Sequence, residues 1–295
     1  MRKQFIKTSE ELAANDERLV FLLGDIGVFG FQNVFRSCPD RIYNIGICEQ
    51  AMTSLAAGLA KEGFIPVLHS IAPFVVERCF EQLKDDLCYQ DVRACIVSVG
   101  SSYDYAALGC THHSPGDVAM LRTLPGMKII VPGTAAEFDR LFRSAYSTER
   151  PTYFRLSEQS NQQTCDVRFG SAHVVRRGQL ATVVAVGPML TRVIEAAEDL
   201  DVTIIYYTTL APFDAETLQA SSRSPKVVVV EPFYEGTMTH DIVSAFKGRS
   251  VELLSIGVPR TFLTNYGHLA DHDVICGLTT SQIREQLAKF IHART

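Results

Sequence analysis

Several familiar signatures are missing from this 295-residue chain, and each absence removes a class of protein. There is no basic surplus: 28 Lys and Arg stand against 33 Asp and Glu, a net charge of −5, whereas a nucleic-acid binder usually carries the opposite balance. No stretch reaches the ~18 uncharged apolar residues of a membrane helix. Met1-Arg2-Lys3-Gln4 leads into an amphipathic pattern, not the apolar segment of a secretory leader, so a cytoplasmic setting is expected. The eight cysteines (Cys38, Cys48, Cys79, Cys88, Cys95, Cys110, Cys165 and Cys276) include no C-x-x-C pair and no zinc-ligand spacing. They read as reduced, buried small hydrophobes, and no metal site is expected in this chain. The G-x-x-x-x-G-K-[ST] phosphate loop is absent. Gly24, Gly27 and Gly30 are spaced three apart and do not form G-x-G-x-x-G. His112 and His113 lack a helical i, i+4 partner, and no G-x-S-x-G elbow occurs. An α/β chain without its own phosphate loop either binds its ligand otherwise or borrows that part from another chain.

What is present is alternation. β-branched runs predict strands over 19–23, 41–45, 65–69, 93–99, 127–131, 152–156, 181–186, 202–207, 226–230 and 251–255. Between them, helices are predicted over 3–15, 49–61, 73–89, 117–124, 135–146, 189–200, 237–246 and 281–291. Strands alternating with helices imply an α/β fold of two domains, each a mostly parallel sheet covered by helices. The run 227–230 is apolar throughout, as suits a strand buried on both faces. A polar, aperiodic stretch places the boundary, giving domains over 1–160 and 179–295 joined by a linker over 161–178.

The segment Asn44-Ile45-Gly46-Ile47-Cys48-Glu49-Gln50 is the most informative. A strand ends near Ile45, Gly46 permits a tight turn, and a helix opens at Glu49. Its small residues Ala51, Ser54, Ala56, Ala57, Gly58 and Ala60 lie on several faces, so the helix is expected to be buried. An acid at that position has two readings. One is an ordinary first-turn carboxylate facing the helix macrodipole, worth about 0.3–1 kcal/mol. The other is a carboxyl kept in a dry cleft to exchange a proton with a ligand.

This run resembles the N-x-G-I-x-E-Q signature of the transketolase family. Five further matches follow in the family's order: Gly24-Asp25-Ile26-Gly27 resembles G-D-L-G; Arg78-Cys79-Phe80-Glu81-Gln82-Leu83 resembles R-A-F-E-Q-I; Thr111-His112-His113, with Met120-Leu121-Arg122, resembles T-H-H and I-M-R; Ile129-Ile130-Val131-Pro132 resembles V-I-V-P; and Ala211-Pro212-Phe213-Asp214 stands where the C-terminal domain often reads K-P-L-D. The resemblance covers essentially the whole chain. It implies the pyrimidine-binding and C-terminal domains only, since the G-D-G motif of the diphosphate domain is absent. A split transketolase is therefore expected, with thiamine diphosphate lying between this chain and a partner subunit that carries G-D-G…N. Mg2+ or Ca2+ would be held mainly by that partner, most simply in an α2β2 assembly.

The resemblance also implies roles. Glu49 would hydrogen-bond N1′ of the cofactor's aminopyrimidine and act as its acid–base group. Ile26 would wedge the two rings, Asp25 would anchor the turn, and either His69 or Phe74 would stack on the pyrimidine. His112 would face the sugar substrate with His113 beside it, and Arg2 would bind a sugar phosphate or simply be solvated. The family's G-E-D-G-P-T-H loop, however, is here Ala106-Ala107-Leu108-Gly109-Cys110-Thr111-His112; a family histidine aligns with Gly100, and a phosphate-binding Arg aligns with Glu158. An acid repels phosphate where an Arg pairs with it, so two-carbon ketol transfer on a non-standard sugar is expected. The beta subunit of a 2-oxo-acid dehydrogenase-type thiamine enzyme shares this layout, but the 44–50 run favours transketolase. A non-catalytic, partner-binding subunit is the third reading, and the retained Glu49 weighs against it.

Overall fold

Alternate residues of one strand feed two separate cores. In β1 (Leu19–Leu23), Leu19, Phe21 and Leu23 join one apolar cluster while Val20 and Leu22 join another. A strand buried on both faces requires helices on both faces of its sheet. The computed structural model describes residues 1–293 and meets this requirement twice.

The first unit runs α1 (Arg2–Ala13), β1, α2 (Gln32–Ser37), β2 (Ile42–Asn44), α3 (Glu49–Lys61), β3 (Ile65–Ile71), α4 (Phe80–Gln82), β4 (Cys95–Val99), α5 (Asp117–Leu121), β5 (Lys128–Ile130), α6 (Ala135–Ala145) and β6 (Thr152–Arg155). The second runs β7 (His173–Arg176), β8 (Ala181–Val186), α7 (Leu190–Ala196), β9 (Val202–Tyr207), β10 (Thr209–Ala211), α8 (Ala215–Ser221), β11 (Lys226–Tyr234), α9 (Thr239–Ala245), β12 (Glu252–Val258), α10 (Leu269–Ile275) and α11 (Thr280–His292).

The seven-stranded sheet has the order β10-β5-β6-β4-β3-β1-β2, and the five-stranded sheet β12-β11-β8-β9-β7. Pairing is parallel except at one edge of each sheet, where β10 runs against β5 and β7 against β9. Two features depart from the expected layout. Strand β7 lies inside the stretch 161–178, where its half-exposed residues do not show the apolar run of a buried strand. Strand β10 leaves the second unit to close the edge of the first sheet. The expected helix over 73–89 is also broken: Pro73–Glu77 and Leu83–Cys88 are π-helical, with α4 between them.

Helix α3 differs from expectation as well. Glu49, Met52, Thr53, Ala56 and Ala57 are buried, while Ala51, Ser54, Leu55 and Gly58 face outward. Its small residues pack one face against the sheet and leave the other open.

Candidate active site

Strand β1 lies between β2 and β3, so the chain leaves it first to one side and then to the other. In open α/β sheets a ligand crevice forms at such a switch point, beyond the carboxyl ends of the strands. Three segments meet there: the loop after β1, the turn from β2 into α3, and the end of β3.

Gly46 makes the second of these turns with φ +77°, in the left-handed region that a Cβ disfavours. Asn44 ties the turns together. Its Oδ1 accepts from the backbone N–H of Asp25 (3.0 Å) and Gly46 (3.2 Å), and its Nδ2 donates to Asp25 Oδ1 (3.0 Å). Asp25 itself is held at φ +56°, a strained conformation for a non-glycine residue and one typical of functional loops. Glu49 then opens α3 and is 1% exposed. Its Oε1 accepts from Ser70 Oγ on β3 at 2.8 Å, and its Oε2 accepts from Arg78 Nη1 at 2.6 Å. Gly24 lets the β1 loop approach this carboxylate, because a Cβ there would stand 2.9 Å from Ser70 Oγ and 3.2 Å from Glu49 Oε1.

The π-turn at Pro73–Glu77 sets the next contact. The Arg78 N–H donates back to the Pro73 carbonyl, five residues earlier. That π-turn lays the Arg78 guanidinium 4.2 Å from the centre of the Phe74 ring, and π-turns of this kind recur at functional sites. The Phe74 and His112 rings pack edge to face with their centroids 5.3 Å apart. His112 sits on a short helical turn after Gly109 and shares a 3.0 Å hydrogen bond with the Thr111 hydroxyl through Nδ1. Arg78 thus links Glu49 to Phe74, and His112 joins them through the Phe74 ring.

The other expected site residues lie apart from this cluster. His69 is fully buried, with Nδ1 2.8 Å from the Val97 carbonyl and its ring packed on Phe5 at 4.8 Å. Burial holds its pKa down at about 4. Its ring is committed to the core and offers no open face for stacking, whereas Phe74 is only partly buried. Ile26 is partly buried against the core, and Asp25 is exposed. Arg2 reaches beneath the same loop, since a Cβ on Gly27 would lie 3.6 Å from its Nη2. A cleft of about 100 Å3 is lined by Arg2, Gly100, Tyr105 and Glu158. Two positions that depart from the family pattern therefore meet the one expected phosphate ligand. Behind them, burial raises Asp104 to about 7 while the Glu158 N–H and Ser157 hydroxyl bond its carboxylate. Leu108 is half exposed on the His112 loop. His113 turns away from His112 into the space between the two units, 5.2 Å from the His272 ring.

Sequence reasoning left Ser70 and Arg78 out of the site. Arg78 stands in a recognised motif, but its reach to Glu49 depends on a π-turn that carries no periodicity signal.

Against known proteins, residues 1–163 match the transketolase pyrimidine-binding domain and residues 170–282 the transketolase C-terminal domain. A two-domain α/β chain with a buried carboxylate at its switch point therefore belongs to the transketolase family, among the transketolase-type transferases. Within it, the chain is 39% identical over 280 residues to an uncharacterized 33.6 kDa protein of the fasciation locus of Rhodococcoides fascians, covering 94% of this chain and 90% of that one. It is 28% identical over 305 residues to one of the subunits of the apulose-4-phosphate transketolase of Phocaeicola vulgatus, covering 98% and 97%. A solved split-gene transketolase, an inactive β4 tetramer, superposes with TM-score 0.87 at 26% identity, covering 98% and 97%. The transketolase of Campylobacter jejuni shares the fold (TM-score 0.83, 18% identity); this chain spans 46% of its length.

Proposed function

We propose that this chain is the pyrimidine-side subunit of a thiamine-diphosphate-dependent transketolase, active with a second polypeptide that carries the G-D-G…N diphosphate domain in an α2β2 assembly. The carrying observation is the buried Glu49 carboxylate, fixed by Ser70 and Arg78 beside the close-approaching Gly24 backbone. When bound, the cofactor supplies the carbanion chemistry of two-carbon ketol transfer. Glu49 would hold the proton at the aminopyrimidine N1′, and Ser70 and Arg78 would keep its oxygens in place. Ile26 would press on the cofactor, Phe74 would present its ring to the pyrimidine, Asp25 would keep the loop shaped, and His112 would meet the substrate hydroxyls. Mg2+ or Ca2+ would rest on the partner's residues.

The surroundings support a partner at this edge. Phe29 is 94% exposed on the β1 loop and Ile47 68% exposed on the turn before Glu49, and apolar surface beside a site suits burial by another chain. The names of the Phocaeicola relative and of the split-gene structure agree with a subunit role. Eight free cysteines suit a reducing, cytoplasmic setting. For substrate, the Glu158 carboxylate in the Arg2 cleft favours an unphosphorylated or otherwise non-standard sugar over a simple sugar phosphate.

The test is reconstitution. Ketol transfer should need this chain, a diphosphate-domain subunit and thiamine diphosphate together, and Glu49→Gln should lower turnover roughly 10²–10⁴-fold. Turnover by this chain alone, or full activity of Glu49→Gln in the complex, would overturn the reading.

A further inference from the structure

We propose that the second unit sets the place of His112, with His272 and Asp273 of α10 as positioning residues that act through Tyr103 and His113. The proposal rests on the reading of His112 as the substrate-facing group. His112 lies on the connection between β4 and α5, and its own turn is held by short-range bonds: the N–H groups of His112 and His113 donate to the carbonyls of Gly109 and Cys110 at 3.0 and 3.1 Å. Single turns of this kind are marginal without outside support. The second unit grips the connection along its length. Near its start the Ser102 hydroxyl donates to the Pro232 carbonyl. At its tip the Tyr266 ring crowds Gly109, where a Cβ would stand 2.6 Å from that ring. Near its end the Tyr234 N–H donates to the Pro115 carbonyl at 2.9 Å.

Between these grips runs a buried column of rings. Tyr103 is buried, and its ring stacks on His272 with centroids 5.4 Å apart and planes 23° apart. His272 is buried in turn and meets His113 edge to face, at 5.2 Å and 88°. His113 is the chain neighbour of His112, and neither of its ring nitrogens has a hydrogen-bond partner among the described residues. Its ring is therefore placed by packing against His272 and not by a polar tether. The other end of the column is anchored. The Tyr103 hydroxyl donates to Asp273 Oδ1 at 2.8 Å, and Arg192 of α7 holds that carboxylate by both oxygens, Nη1 to Oδ1 at 2.9 Å and Nη2 to Oδ2 at 2.6 Å. A two-pronged guanidinium–carboxylate contact fixes direction as well as distance. Arg192 is itself tied to the Leu278 carbonyl at 2.9 Å. Position thus passes from α7 through α10 and the ring column to the residue beside His112. A side chain that meets a substrate needs such support, because a small misplacement weakens every contact it makes.

Histidine-ring NMR of the full chain and kinetics of the reconstituted enzyme test the proposal together. The Phe74 ring current displaces the His112 proton signals, so these report where the loop lies. His272→Ala should move them while those of the exposed His240 stay in place. His272→Phe, which keeps a ring in the column, should return them towards the parent positions. In the reconstituted enzyme His272→Ala should lower kcat/KM for the sugar about ten- to a hundredfold, mainly through KM. Thiamine diphosphate affinity should be unchanged, and His272→Phe should recover most of the loss. A column that only stabilises the fold would lower the melting temperature and leave the His112 signals and KM alone. Unmoved His112 signals overturn the proposal, as does an unchanged KM in a complex whose parent is active. A parent complex without ketol transfer would count against the functional reading alone, and the ring signals then decide the placement. If His272→Ala does not fold, Tyr103→Phe, which removes only the hydroxyl that reaches Asp273, takes its place and should also move the His112 signals.

Discussion

Arg78 donates to Glu49 at 2.6 Å while its guanidinium lies 4.2 Å from the centre of the Phe74 ring. One side chain thereby fixes both a carboxylate oxygen and an aromatic face. Hydrogen bonds to charged groups contribute about 1.5–3 kcal/mol, and a planar fork stacked on a ring is not replaced by an ammonium. Because Arg78 is one-third exposed, water offsets part of the loss. Arg78→Met is expected to lower unfolding stability by about 1–3 kcal/mol, and Arg78→Lys to recover only part of it. Urea denaturation of the two variants checks this; equal stability of Arg78→Met and the parent would refute it.

The loop carrying His112 hangs from a buried ion pair. Arg155 Nε donates to Asp117 Oδ2 at 2.7 Å, with side-chain exposures of 1% and 0%, and its Nη2 donates to Ser102 Oγ at 2.7 Å. The Tyr153 hydroxyl donates to the same Asp117 oxygen at 2.7 Å. Removing one charge from such a pair leaves the other uncompensated, at about 3–5 kcal/mol. Asp117→Asn should lose that much stability by thermal or chemical denaturation, and a loss below about 1 kcal/mol would place the pair among weak, solvated ones.

Glu231 gives the fold a pH dependence with a definite sign. Its carboxylate accepts from Ser255 Oγ and from the N–H groups of Gly236 and Met238, yet burial outweighs these bonds and raises its pKa to about 7. Between the ordinary carboxylate range and about pH 7 the unfolded chain has released this proton while the folded chain retains it. Stability therefore falls as pH rises through that window and levels off above it. Asp104, also raised to about 7, has the same sign. His69 and His113, held near 4, have the opposite sign, and their contribution is lost as pH falls from about 6.5 towards 4. Glu231→Gln is expected to be less stable overall but to lack its share of the downward slope. Melting temperatures from pH 5 to 8 compare the two slopes, and parallel curves would contradict the assignment.

Glu158 lines the Arg2 cleft without a side-chain partner among the described residues. Restoring a cation there should recover phosphate affinity. Glu158→Arg in the reconstituted enzyme is expected to raise kcat/KM for a phosphorylated sugar about 10–100-fold relative to its unphosphorylated counterpart. An unchanged ratio would place substrate selection elsewhere.

Much of this architecture is legible from residue pattern alone. The strands Ala181–Val186 and Val202–Tyr207 and the helix Glu49–Lys61 coincide with their expected bounds, because apolar runs and a glycine turn leave little choice. The short helices α2, α8 and α10 escape notice, since six or seven residues carry too few repeats of the helical period. Strand β10 escapes for a different reason: three residues pair across the unit boundary, and nothing local marks them. At the candidate site, Glu49 and His112 stand out in the sequence through motif and turn chemistry. Ser70 and Arg78 become partners only when β3 and the π-turn are brought beside α3. His69 looks like a stacking ring at a strand end, but alternation along β3 directs it into the Phe5 core.

The first half of the polypeptide does not finish its own sheet. Six strands of the larger sheet come from the first unit, and the seventh, β10, is lent by the second. A protease nick between 161 and 172 would thus leave two fragments still zipped together along β5, migrating as one particle on a native gel. A gene truncated after the first unit would instead expose the bare β5 edge as a template for aggregation.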